Sequence, residues 1–316
     1  MMNSEHYIVR DYKKGDEEGI TSLFQKVFGK EMTLKQWNWK YTIPGNGRIH
    51  SKVAVDTNNK IIGHAGAVPL RGAHQNKPIQ FFQIADVMVH PAARGFLGKK
   101  NIFDRMIKEL FEDLRKEFSY VFCYGFPGKR PYTLGERIRV YDKVEQGIDC
   151  FKSLTSSLSL NPYTIKPLSW DDRRIDTLWV HVSKEFPLAI MRNIQYLQWR
   201  YATNPFFSYQ LLGCFLFGNL QGWLVIKDAG DEVFIVDLLT KPKQYMSLLK
   251  AVERYLISLE KKEVHFWLPE RWRKHIKGYS KKETQVVVTN MIWKLPIKTS
   301  IAKESLYYTM GDADIF

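Results

Sequence analysis

A short basic segment with two glycines contains the side chains of this sequence that are best suited to binding a phosphorylated ligand. It reads Arg94-Gly95-Phe96-Leu97-Gly98-Lys99-Lys100 and links a predicted strand to a predicted helix. Glycines let a turn bring its backbone N–H groups close to an anion, and the start of a helix adds partial positive charge. The arginine and the two lysines supply full charges. The segment therefore predicts a pyrophosphate-binding turn, although its spacing is neither that of a Walker loop nor that of a dinucleotide fingerprint.

The predicted strands and helices that would position this segment follow one another in a regular order. A strand is predicted over residues 79–89, an amphipathic helix over 101–118 and a second strand over 119–124. Before them come a short strand at residues 7–10, a helix from Asp16, and two strands joined by the turn-forming pair Asn58-Asn59. Strands that alternate with helices in this way predict an α+β domain.

A second copy of this order follows the first. Trp199-Arg200-Tyr201 repeats Trp39-Lys40-Tyr41, and the run from Ile235 to Pro242 repeats the run from Ile84 to Pro91, with other matches in the same sequence order. We therefore predict two domains, residues 1–150 and 160–316. In the second copy, residues 240–245 link strand to helix at the place where the first copy has residues 94–100. This segment has no glycine and is too short to wrap a pyrophosphate, so we expect the second domain to bind no coenzyme.

The composition narrows the class of ligand. The 316 residues include 47 Lys and Arg against 33 Asp and Glu, a net charge of +14 that suits an anionic partner. Three cysteines without metal-ligand spacing predict buried thiols in a reducing compartment and no metal site. The sequence has neither a signal-peptide pattern at its start nor a run of 18 apolar residues. A cytoplasmic protein without a membrane segment is therefore expected.

The segment from Tyr7 to about Gln146 resembles a domain of the GCN5-related N-acetyltransferases (GNAT). The resemblance rests on the order of elements and on Val87-Met88-Val89-His90-Pro91 before Arg94-Gly95, which is similar to motif A of that family. Gly98 lies one place later than the family pattern, a shift that a one-residue insertion accommodates. The resemblance implies a mixed sheet with helices on both faces, in two tandem domains of which the second is degenerate.

This resemblance also implies a cofactor site. In the family, two parallel strands diverge and the pantetheine arm of an acyl-coenzyme A enters the gap. Acetyl-CoA would then be the acyl donor, held through its pyrophosphate by residues 94–100. The backbone groups of Val87, Met88 and Val89 would pair with the pantetheine and polarise the thioester carbonyl.

The resemblance indicates fewer residues for the acyl-transfer reaction than for cofactor binding. By position in the family, Tyr132 is the first candidate for the acid that protonates the leaving thiolate, and Tyr124 is the second. Many members have a glutamate base where this sequence has Gln83. Asp86 lies nearby, but Asp237 occupies the matching place in the second copy, so a structural role is favoured. Deprotonation of the amine through water is the default expectation.

The expected function is N-acyl transfer, most simply of an acetyl group, from acetyl-CoA to an amine of a small or sugar-linked acceptor by direct attack. Two alternatives stay open. The positive charge suits an aminoacyl transferase resembling the FemABX group, which joins two units of this fold and takes charged tRNA. The amide at Gln83 suits a non-catalytic acyl-CoA-binding protein. The expected partners are acyl-CoA and an amine-bearing small molecule, with no membrane and with nucleic acid only under the tRNA alternative.

Overall fold

The computed structural model describes residues 7–43, 47–94, 101–155 and 161–314. The chain divides into two compact units, and each contains segments that are distant in sequence. The first comprises Met1–Arg71, Ile79–Val144 and Val288–Ser300, and the second comprises Gly72–Pro78, Glu145–Val287 and Ile301–Phe316.

The first unit is built on a mixed sheet. The strand order is β1-β2-β3-β4-β5, and Thr289 and Asn290 pair antiparallel with the end of β5. Neighbouring pairs β1–β2 and β2–β3 are antiparallel, whereas β4 and β5 are parallel. Its elements are β1 (Tyr7–Asp11), α1 (Glu17–Phe28), α2 (Leu34–Tyr41), β2 (His50–Asp56), β3 (Ile61–His74), β4 (Lys77–Val89), α3 (Ile102–Glu117), β5 (Val121–Gly125) and α4 (Lys129–Arg137).

Helices cover both faces of this sheet, as two glycines of β3 show. A Cβ atom at Gly63 would lie 2.9 Å from atoms of Ile102 and Met106 of α3, whereas one at Gly66 would lie 2.4 Å from the hydroxyl of Tyr41 of α2. Because successive side chains of a strand alternate between faces, positions 63 and 66 point to opposite sides. The predicted α+β class, a mixed sheet with helices on both faces, is therefore confirmed.

Helix α3 contributes much of the core of the first unit. Its apolar residues recur at helical spacing and are buried against the sheet: Ile102, Phe103, Met106, Ile107, Leu110, Phe111 and Leu114. Its N-terminus is capped by Asn101, whose side chain accepts a hydrogen bond from the backbone N–H of Asp104 at 3.2 Å. The helix therefore begins immediately after the glycine-bearing segment.

The second unit repeats the strand–helix–strand arrangement of the first. β11 and β12 pair in parallel with α7 between them, as β4 and β5 do with α3. Its remaining pairs β9–β10, β10–β11, β7–β9 and β6–β12 are antiparallel. The elements are β6 (Tyr141–Ser153), β7 (Tyr163–Pro167), α5 (Arg174–Val182), β8 (Leu188–Ile190), α6 (Ile194–Leu197), β9 (Gln210–Leu216), β10 (Asn219–Ala229), β11 (Glu232–Thr240), α7 (Tyr245–Ser258), β12 (Glu263–Trp267), α8 (Glu270–Arg273), β13 (Ser280–Met291), α9 (Thr299–Ser305) and β14 (Leu306–Tyr307).

Two further expectations from composition bear on the fold. Cys123, Cys150 and Cys214 are buried free thiols, as predicted. Within the part of the chain that the structure describes, no helix has both the length and the apolar character that crossing a bilayer requires.

Truncation of the core of α3 provides a test of this packing. Phe111 is fully buried, so Phe111→Ala should lower the free energy of unfolding by about 3–5 kcal/mol in urea denaturation. The matched control Phe28→Ala, at a ring that is 46% exposed, should cost less than about 1 kcal/mol. Equal losses in the two variants would contradict the assignment of α3 to the core.

Candidate active site

The parallel strands β4 and β5 pair over only part of their lengths. Their ladder pairs Gln80 with Val121 and continues in register to its last pair, Gln83 with Tyr124. β4 continues to Val89, whereas β5 ends at Gly125. Val87, Met88 and Val89 therefore lie on a part of β4 beyond the end of β5, and the divergence of the two strands that the resemblance implies stays a prediction.

β4 has a backbone irregularity beyond its last pair with β5. Asp86 has a φ of 49°, in the left-handed region that residues other than glycine seldom occupy. Such a conformation persists only when surrounding contacts hold it in place. Here the carboxylate of Asp86 accepts hydrogen bonds from Lys40 Nζ at 2.8 Å and from the Tyr41 hydroxyl at 2.7 Å. Both partners are on α2, so this helix holds the bend in β4.

His64 holds the same residue by its backbone. The ring is fully buried, and burial lowers its pKa, so the imidazole is neutral at physiological pH. Nδ1 lies 2.8 Å from the carbonyl oxygen of Asp86, which can only accept, so Nδ1 carries the proton. Nε2 then accepts from the hydroxyl of Ser51 at 2.8 Å. His64 is therefore a core histidine with both ring nitrogens hydrogen-bonded, and it fixes the backbone at the bend.

These contacts decide between the two interpretations of Asp86. Its side chain is 5% exposed and forms an ion pair with Lys40. A carboxylate held by an ammonium and a phenol in the interior is poorly placed to accept the proton of an amine. The structural role that the sequence favoured for Asp86 is therefore supported.

The second unit contains the equivalent arrangement around Asp237. Its carboxylate accepts hydrogen bonds from the Tyr201 hydroxyl at 2.8 Å and from Arg192 Nε at 2.9 Å. Tyr201 is the repeat counterpart of Tyr41, but the cation differs from the one that the repeat suggests. Arg200, the counterpart of Lys40, instead donates to the carbonyl oxygens of Gly311 and Ala313. Both units thus contain a buried Asp–Tyr pair. The cation beside the aspartate is Lys40 in the first unit, whereas in the second it is Arg192 and not the repeat counterpart Arg200.

The space beside β11 in the second unit is filled by the chain's own C-terminal segment. The Tyr307 hydroxyl donates to the carbonyl oxygen of Leu238 at 2.6 Å, and Thr309 Oγ1 donates to Asp237 at 3.1 Å. At Gly311 an added Cβ would lie 1.9 Å from the Tyr201 hydroxyl, so backbone packs directly on this site. Between β11 and α7 there is only the short 3₁₀ turn Pro242–Gln244.

Tyr132 lies on the exposed side of the first unit's core. It is partly buried on α4 and packs against the apolar cluster on which Val87 and Val89 also pack. Its hydroxyl donates to Glu136. Burial and the adjacent Glu136 carboxylate raise the pKa of Tyr132, so the phenol keeps its proton at neutral pH. The same shift makes the phenol a weaker acid, and its proton must leave Glu136 before it can be given to another group.

Tyr124 has a different environment. It is 1% exposed and packs among the rings of Phe81, Phe122 and Phe126, with centroid distances of 5.9, 5.7 and 5.6 Å. These contacts are those of an aromatic core residue. Gln83, its partner in the last pair of the ladder, is also buried.

The predicted pyrophosphate segment is described only at its first residue. Arg94 follows the 3₁₀ turn Pro91–Ala93, and its Nε donates to the carbonyl oxygen of Val89 at 2.9 Å. The arginine therefore folds back onto the end of β4. The other predicted contacts, Gly95, Phe96, Leu97, Gly98, Lys99 and Lys100, lie outside the described residues.

Comparisons with known proteins bear on this arrangement. Residues 8–135 match a family model described as an acetyltransferase (GNAT) domain. Residues 8–135 are therefore a GNAT acetyltransferase domain. The matched residues include β4, β5, Arg94 and Tyr132. A comparison with curated proteins gives no significant match.

Solved structures extend the likeness beyond the matched GNAT domain. A conserved protein of unknown function from Enterococcus faecalis V583 superposes with a TM-score of 0.71 at 15% identity, over 94% of this chain and 75% of that one. A GCN5-related N-acetyltransferase from Kribbella flavida gives 0.68 at 12% identity, over 95% and 74%. Saccharomyces cerevisiae N-myristoyltransferase with bound myristoyl-CoA and inhibitors gives 0.59 at 11% identity, over 92% and 80%. At these identities the likeness shows the fold.

The support around Asp86 is the part of the site that sequence reasoning missed. The repeated pairs Lys40-Tyr41 and Arg200-Tyr201, each followed by a repeated aspartate, were an available signal. However, nothing in their spacing indicated that the tyrosine hydroxyls would reach those aspartates.

The buried ion pair gives a test of this support. Asp86→Asn leaves the Lys40 ammonium buried without its counter-ion, so the free energy of unfolding should fall by about 3–5 kcal/mol. Adding Lys40→Met removes the stranded charge and should restore part of that loss. A double-mutant cycle in urea measures the coupling. Strictly additive single and double variants would show that the two side chains do not support each other.

Proposed function

We propose that this protein is an N-acyltransferase that transfers an acetyl group from acetyl-CoA to an amine of a small or sugar-linked acceptor. The observation that carries the proposal is the extension of β4 beyond its last pair with β5, Gln83 with Tyr124, within a GNAT-family domain. The donor is also supported by the fold shared with an N-myristoyltransferase whose structure contains an acyl-CoA.

In this proposal the thioester lies against the backbone of Val87, Met88 and Val89. Backbone donors at these positions would stabilise the oxyanion that forms when the amine attacks the carbonyl. The pyrophosphate is assigned to Arg94 and residues 95–100, which directly precede the N-terminus of α3. The partial positive charge of that helix end favours an anionic group there.

The transfer needs no covalent enzyme intermediate. The amine nitrogen attacks the thioester carbon, the C–S bond breaks, and the coenzyme leaves as a thiolate. Tyr132 donates its proton to that thiolate, and water takes the proton that the amine loses. The tyrosinate then regains a proton from solvent. Tyr124 is kept as the second candidate for the acid, although its burial among aromatic rings favours Tyr132.

Binding of the cofactor is the first test. Isothermal titration should show that acetyl-CoA binds the wild-type chain and that Arg94→Ala with Lys99→Ala weakens binding by about tenfold or more, since charge-assisted hydrogen bonds are each worth about 1.5–3 kcal/mol. The matched control is Lys241→Ala with Lys243→Ala, which removes two lysines from the equivalent linker of the second unit. That control should leave binding unchanged. Absence of binding to the wild-type protein would refute the proposal.

The role of Tyr132 is tested by Tyr132→Phe, which keeps the ring and removes the proton. We expect kcat for thiol release with a panel of amines to fall by about 10²-fold or more, with acetyl-CoA affinity unchanged. Tyr124→Phe is the comparison variant and should retain most of the activity. If instead Tyr124→Phe is the inactive variant, the acid has been assigned to the wrong tyrosine.

The same assays separate the alternatives. An aminoacyl transferase would retain charged tRNA in a filter assay and would release no thiol from acetyl-CoA. A non-catalytic binding protein, the alternative suggested by the amide of Gln83, would bind acetyl-CoA but release no thiol with any amine.

A further inference from the structure

Three potential metal ligands meet at the start of β11 and β12 in the second unit. Glu232 begins β11, and Glu263 and His265 lie on β12. One carboxylate oxygen from each glutamate and one ring nitrogen of the histidine lie within 4.8 Å of one another. These residues have no part in the proposed acyl transfer.

The His265 ring is held in one orientation. Its Nδ1 lies 2.9 Å from Oδ2 of Asp149. The ring also stacks between Phe234 and Phe151, at centroid distances of 5.0 and 5.8 Å and interplanar angles of 25° and 17°. A carboxylate that accepts from one ring nitrogen is the arrangement that orients metal-binding histidines, because it directs the lone pair of the other nitrogen to the ion.

The second ring nitrogen faces an acceptor. Nε2 lies 2.8 Å from Oε1 of Glu263, yet it is buried and has no hydrogen bond of acceptable geometry. When Nδ1 donates to Asp149, Nε2 of the neutral ring has only a lone pair to present to that carboxylate. Either a proton on Nε2 or a cation bound by both atoms removes the repulsion between lone pairs at this distance.

The backbone register adds a second repulsion. Glu232 and Glu263 are direct partners in the parallel β11–β12 ladder, and like charges in opposed positions destabilise a sheet. The neighbouring lysines do not neutralise them. Lys261 pairs with Asp228 at 2.7 Å, and Lys262 pairs with Asp231 at 2.6 Å.

We propose that Glu232, Glu263 and His265 bind a divalent transition-metal ion of the Zn²⁺ class, with Asp149 as the residue that orients His265. Two carboxylate oxygens and one imidazole nitrogen are ligands that Zn²⁺ accepts, with water completing the coordination. Glu232 is exposed, so its side chain can rotate to reach the ion. A bound ion removes both repulsions and links the starts of β11 and β12.

Metal binding to the untagged full chain tests the site directly. After treatment with EDTA, the wild-type protein should bind about one Zn²⁺ per chain in isothermal titration and gain thermal stability with Zn²⁺, since an ion that binds only the folded state stabilises it. Mg²⁺ and Ca²⁺, which prefer oxygen ligands alone, should bind far more weakly. A wild-type chain that neither binds Zn²⁺ nor shifts its Tm with Zn²⁺ would overturn the proposal.

Variants assign the ligands. His265→Ala and Glu263→Gln should each abolish the Zn²⁺-dependent Tm shift, and exposed Glu232→Gln should weaken binding while preserving the fold. Asp149→Asn should weaken binding by about 10–100-fold, the usual effect of losing a partner that orients a ligand. His181→Ala removes an exposed histidine of the same unit and should bind as wild type.

The competing explanation is an imidazolium that bridges Asp149 and Glu263 without a metal. Nitrogen NMR of His265 distinguishes the two, because a metal-bound Nε2 carries no proton. A His265 ring that stays doubly protonated at pH 7 and does not respond to Zn²⁺ would refute the metal site. The acyl-CoA assays report on the other unit, so failure here is distinguishable from failure of the proposed function.

Discussion

The bend in β4 at Asp86 is the constraint on which the candidate active site depends. A parallel pair of strands ordinarily stays in register, and a strand that leaves its partner must satisfy or expose backbone groups that the ladder would have paired. Here the departure coincides with a residue in the left-handed region. Its carboxylate is held by Lys40 and Tyr41, and its carbonyl oxygen is held by His64. The strain is thus local, and a buried polar network maintains it.

That network explains why charged groups lie in the interior of the first unit. A buried ion pair contributes little net stability compared with apolar packing, but removing one partner is costly because the other charge is stranded. Such a pair holds one backbone geometry against the alternatives. The neutral imidazole of His64 fixes the direction of its two hydrogen bonds. Its single N–H donates to the Asp86 carbonyl, and Nε2 accepts from Ser51. The geometry of Val87 to Val89 follows from these contacts.

In the second unit a related network of buried polar side chains holds Asp237, but the space beside its strand is filled by another part of the chain. Asp237 is held by Tyr201 and Arg192, but the segment from Tyr307 to Gly311 packs beside β11. The 3₁₀ turn Pro242–Gln244 is the counterpart of Pro91–Ala93 and leads directly into α7, so no residues correspond to the glycine-bearing segment. One architecture therefore supports two uses. The first unit contains the extension of β4 beyond β5 on which the proposed acyl transfer depends. In the second unit, the segment from Tyr307 to Gly311 fills the space beside β11, and polar side chains meet at the start of β11 and β12.

By itself the sequence determined the order of elements, the repeat and the α+β class, because hydrophobic periodicity and turn residues are local properties. It also indicated that Asp86 and Asp237 are structural, because an aspartate occurs in both copies whereas the glycine segment occurs in one. Only the tertiary structure decided which groups hold those aspartates. Lys40 and Arg200 are repeat partners, yet Arg192 pairs with Asp237, because side-chain pairing depends on which helix or loop reaches the bend. The cluster of Glu232, Glu263 and His265 also escaped the sequence. Its members meet through the register of β11 against β12, and no linear spacing records that register.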